Sequence, residues 1–172
     1  MQLTAAAAVD ARVRRTNRRV TTGGRNTRLP DGRRELRLAT PALVGACLAF
    51  AVGIFATVVR LDRDRAFYPT VAIVIASLYS LFAVIGGSTR ALVVESTVGV
   101  GFIALAVFGF RTSLWVVAAA LGLHGVFDLV HGSFISNPGV PRWWPAFCLT
   151  YDVAAAGYLA WLIISRRTRA AA

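Results

Sequence analysis

The chain has 172 residues, 56% of them hydrophobic, and a mean hydropathy of +0.62. That balance excludes an ordinary soluble domain and fits one small multi-pass membrane domain. The net charge is +11; all nineteen basic residues are arginine, and ten of them precede Thr40.

Residues 1–38 carry Ala, Thr, Gly, Asn and those arginines without a sustained apolar period, and read as a disordered basic tail. No apolar stretch follows the first charges directly, so the segment is not a secretory signal peptide. It lacks interleaved aromatics and any recognisable nucleic-acid module. The partner expected for it is instead the anionic lipid head groups beside the first span. Met1 is the sole methionine, so a later start that removed the tail would need a non-ATG codon.

The region 39–166 reads as an all-α transmembrane domain, with 167–172 as a short tail. Five apolar runs cover about 41–59, 67–86, 91–110, 113–135 and 145–165. Each is near the ~20 residues that cross a ~30 Å hydrocarbon core. Backbone polar groups in lipid must be satisfied internally, which makes the runs helices. The cluster Arg60–Arg65 closes the first run, and Gly86-Gly87 closes the second. Asn137-Pro138-Gly139 stops the fourth, and Trp143 and Trp144 open the fifth as interfacial aromatics do. Gly45-x3-Ala49-x3-Gly53 gives the first helix a small-residue face suited to close helix packing. Cys47 and Cys148 lie in separate runs and form no CxxC motif, so they read as packing residues rather than a disulfide.

Orientation is pulled both ways by the arginines. The basic tail argues for a cytoplasmic N-terminus. The first loop, Arg111 and the C-terminal tail share the opposite side and argue for the reverse.

Chemistry concentrates in the last three runs. Of the acidic residues, only Glu95, Asp128 and Asp152 lie inside spans, one each in the third, fourth and fifth. The only two histidines flank one of them in His124-x3-Asp128-x2-His131, three positions within roughly 60° on one helix face. A carboxylate near a bilayer centre costs about 2.5–3.5 kcal/mol on insertion scales, so such groups mark a site more often than lipid-facing tolerance. At a rise of 1.5 Å per residue, Glu95 and His131 lie about 6–7 Å in from the side carrying Asn137, Asp128 and Asp152 about 10 Å, and His124 about 16 Å. Runs of alternating direction thus place their ionisable residues in one leaflet. The expectation is one polar cluster of Glu95, His124, Asp128, His131 and Asp152, supported by Tyr79, Ser80, Ser96, Thr97, Asn137, Cys148 and Tyr151.

Imidazole and carboxylate ligands suit zinc, or iron or manganese. In this reading His124, Asp128, His131 and Asp152 are the metal ligands. Glu95 and Asp152 are the candidate catalytic carboxylates of a metal-dependent enzyme acting on an apolar or lipid substrate. Two other readings stand beside it: a small proton, ion or solute transport protein, which as five helices would line its path as a homo-oligomer, and a membrane scaffold whose polar network is purely structural.

Between about Ile85 and Trp161 the chain resembles a family of small bacterial multi-pass membrane proteins defined only as a domain of unknown function. The matching residues are Gly86-Gly87, Glu95, His124-x3-Asp128-x2-His131, Asn137-Pro138 and Cys148-x3-Asp152. That family often has paired histidines where this chain has His131-Gly132. The resemblance implies a multi-pass protein of the bacterial inner membrane and supports the site, without implying a reaction. The arrangement also looks superficially like the membrane-embedded zinc hydrolases of the alkaline ceramidase type, which use more helices and more histidines.

Overall fold

The computed structural model describes residues 31–165, with side chains from 39 onward. The chain is all-helical over these residues. The helices are α1 (Asp31–Val59), α2 (Phe67–Ile85), α3 (Thr89–Arg111), α4 (Leu114–Phe134) and α5 (Trp144–Ile164). All five are long and apolar enough to cross a membrane, and in α1 the qualifying span is Ala39–Val59.

The second to fifth helices begin and end within two residues of their apolar runs, whereas the first begins ten residues before its run. The expected tail lies outside the described residues up to 30, but from Asp31 the backbone is helical and runs through Pro41. Hydropathy sets the start of a span, not of a helix. Residues 33–38 are Arg, Glu and Leu, all good helix formers. Helices α3 and α4 begin where the sequence supplies a cap: Ser88 Oγ accepts from the Ala91 amide, and Ser113 Oγ from that of Trp115.

The interior is built from small residues. Ala49, Ala56, Ala76, Ala83, Ala106 and Ala120 are buried, while Leu43, Val58, Phe108, Leu129 and Phe134 face outward. That inversion of the soluble pattern suits a bundle whose outer surface meets lipid and whose helices gain from close van der Waals approach. The small face of α1 serves this purpose against α5. A Cβ on Gly45 would meet the Phe147 carbonyl and Thr150, and one on Gly53 would meet the Tyr158 ring. Thr150 Oγ1 donates to the Ala42 carbonyl at 2.7 Å in the same seam. At the other end of α1, Thr57 Oγ1 donates to the buried Asp62 at 2.6 Å and lies 3.0 Å from the Tyr158 hydroxyl.

Helix α4 is the most enclosed. Half of its span is buried, against 22–33% for the others, and it packs on α2, α3 and α5. Its Gly125 brings it onto α5, where an added Cβ would lie 3.1 Å from the Leu149 carbonyl and 3.2 Å from Asp152 Cβ. The helix carrying the histidines is therefore the one with the least lipid to face.

A candidate metal centre

The three acidic residues and two histidines of the third to fifth spans all turn inward. Glu95, Asp128 and His131 are each 2% exposed, His124 4% and Asp152 0%. They form two groups rather than one.

The deeper group lies between α4 and α5. His124 Nδ1 is 2.7 Å from Asp152 Oδ2 and 3.7 Å from Asp128 Oδ2, so one nitrogen addresses both carboxylates. Cys148, one turn before Asp152 on α5, donates its thiol to Asp152 Oδ2 at 3.8 Å. From α2, the Tyr79 hydroxyl donates to Asp128 Oδ1. One nitrogen, one sulfur and two carboxylate oxygens of His124, Cys148, Asp128 and Asp152 lie within 4.8 Å of one another, and all four residues are buried. Asp128 Oδ2 and Asp152 Oδ1 are buried without a hydrogen-bond partner.

The second group lies toward the 135–143 loop. His131 Nε2 donates to Glu95 Oε1 at 2.7 Å. The Asn137 amide donates to the same oxygen at 2.9 Å and to the Tyr79 backbone carbonyl at 3.0 Å. Asn137 Oδ1 in turn accepts from the Gly139 amide. Tyr79 touches both groups: its hydroxyl is bonded to Asp128, and its ring stacks on His131 with centroids 4.1 Å apart and planes 24° apart.

His124 and His131 share a stripe, but seven residues of helix rise about 10 Å. Their ring nitrogens meet different carboxylates, His124 Nδ1 that of Asp152 and His131 Nε2 that of Glu95. The structure accordingly gives His131 to Glu95 and puts Cys148 beside His124, Asp128 and Asp152. The spacing Cys148-x3-Asp152 carried the signal for Cys148, since i and i+4 share a face as well as a level. Of the other supporting candidates, Ser80 and Ser96 bond to each other, and the exposed Thr97 donates to the Val93 carbonyl of its own helix. Tyr151 lines the cavity that adjoins Cys148.

Charge completes the account of the deeper group. Two ionised carboxylates with one imidazolium leave a net negative charge in a dry interior, which is costly. Either a shared proton or a cation must balance it. A divalent ion held by these residues would offset the charge of the two carboxylates, and the buried Asp128 Oδ2 and Asp152 Oδ1 are acceptors with capacity to ligate it. No family model, curated protein or solved structure matches this chain.

Proposed function

We propose that this protein is a metal-dependent membrane enzyme acting on an apolar or lipid substrate, with His124, Asp128, Cys148 and Asp152 holding the ion. The observation that carries the reading is the pair of buried, unpartnered carboxylate oxygens on Asp128 and Asp152 within a converging set of nitrogen, sulfur and oxygen donors. A mixed imidazole, thiol and carboxylate set favours zinc or iron over manganese, calcium and magnesium, which prefer oxygen ligands. Such an ion would supply Lewis acidity or an activated water. Glu95 is committed to His131 and Asn137, so of the two candidate catalytic carboxylates Asp152 alone adjoins the ion. The site's depth on the most enclosed helix supports a substrate that partitions into the bilayer.

Metal analysis of the purified protein tests the reading. Wild-type protein is expected to carry stoichiometric metal, and Asp152→Asn to carry none while keeping its helical circular dichroism. A folded wild-type protein that takes up no zinc, iron, manganese or cadmium sinks it. The second reading would then hold: a proton shared by Asp152, His124 and Asp128, for which the ordinary 2.7 Å length of the His124–Asp152 contact is the supporting observation.

A further inference from the structure

Among the described residues two spaces, differing in what they admit, adjoin the deeper group. Beside His124, a space lined by Ala72, Phe102 and Leu121 is too narrow for a water molecule. On the Cys148 side, where α1, α2 and α5 meet, lies a cavity of about 200 Å³. Leu48 walls it from α1, Ile75 and Leu78 from α2, and Phe147 and Tyr151 flank Cys148 on α5. Cys148 is the one residue shared by this cavity and the four-residue group.

Location sets the occupant. Leu48 lies in a membrane span and is 44% exposed on the outer face of the bundle, so one wall of the cavity borders the lipid phase. The lining is mostly aliphatic and aromatic; its polar atoms are the Trp144 indole N–H, which is buried without a partner, the Tyr151 hydroxyl and the Cys148 thiol, too few to pair the donors and acceptors of a polar head group. Volume narrows it further, because pockets for drug-sized ligands run about 300–1,000 Å³. About 200 Å³ holds part of one unbranched chain. A wider depression of about 480 Å³ between Phe50 and Trp161 touches none of the four ligating residues, so size does not single out a route but adjacency does.

We propose that this cavity admits a single hydrocarbon chain from the lipid phase and brings it to the metal centre past Cys148. The substrate class is then an amphiphile that reacts on its chain, with its head group left at the surface. The proposal rests on the metal centre proposed above, and the test separates the two.

In a Cys47→Ala background Cys148 is the sole thiol. The metal-free protein in phosphatidylcholine liposomes is treated with butyl and hexyl methanethiosulfonate and with the charged sulfonatoethyl reagent. The alkyl reagents are expected to modify Cys148, and the charged one to be slower by on the order of tenfold. Leu78→Trp, which fills the cavity, is expected to slow the alkyl reagents to a similar degree; Leu48→Trp closes it from α1 should the first variant misfold. No modification by the alkyl reagents, equal rates for alkyl and charged reagents, or alkyl rates untouched by either tryptophan overturns the route. Preloading with Cd²⁺ reads the other proposal. Protection of Cys148 supports the ion, whereas alkyl modification without protection leaves the route standing and removes Cys148 from the metal centre.

Discussion

The two polar groups of the bundle use similar residues and end in different states. His131 and Glu95 are closed off by Asn137, and neither Glu95 oxygen is left buried without a partner. His124, Asp128 and Asp152 converge as tightly, yet two of their carboxylate oxygens accept no hydrogen bond, Asp128 Oδ2 lying 3.7 Å from His124 Nδ1. Only four buried side-chain N or O atoms are unpartnered among the described residues, and these two are the only carboxylate oxygens among them. A buried polar group left unsatisfied costs about 1–3 kcal/mol, more if charged. The contrast teaches that burial and composition do not mark a binding centre on their own. What separates a site from a strut is the acceptor capacity left over once the protein's own donors are counted.

The comparison breaks most visibly at the closed pair. His131→Ala or Glu95→Ala strands a buried partner and is expected to lower stability by about 3–5 kcal/mol, read by thermal unfolding in detergent, with metal uptake kept. His124→Gln should do the opposite, losing metal while unfolding near the wild-type temperature of the metal-free protein. If His131→Ala loses metal as fully as His124→Gln, the division into strut and site is wrong. Next in size is Tyr79→Phe, which removes the hydroxyl that orients Asp128. Supporting contacts of this kind are worth about 10–100-fold in metal affinity, so cadmium titration should show a loss in that range without loss of stoichiometry. Smallest is Ser88→Ala at the start of α3, expected to cost about 1 kcal/mol of stability and to leave both groups working. A loss of metal binding there would show that the centre depends on the whole bundle rather than on α4 and α5.

Much of this was legible in the residues. Hydropathy and charge marked the five spans, and counting rise along each helix put Glu95, His124, Asp128, His131 and Asp152 in one leaflet before any packing was known. Three things were not legible. Helical periodicity reports azimuth and says little about which neighbour a side chain meets, because that depends on how α3 and α5 are rotated against α4. So His131 read as a ligand with His124, and Cys148 as a supporting residue. The helical start at Asp31 was hidden because residues 31–38 are mostly charged, and hydropathy does not distinguish a charged helix from a charged tail. The close seam at Gly125 was also out of reach, since a glycine in a span is common and only the facing Leu149 carbonyl gives it a reason.

Tyr79 has one further consequence. The same ring that stacks on His131 carries the hydroxyl bonded to Asp128, and the same residue's carbonyl is held by Asn137 of the loop. The two groups therefore share a member, and a free energy exchanged through it runs equally in both directions. With the proposed ion, filling the deep centre and fastening the loop would be one linked equilibrium: whatever factor the ion added to the loop's protection from hydrogen exchange, the fastened loop would return to the ion.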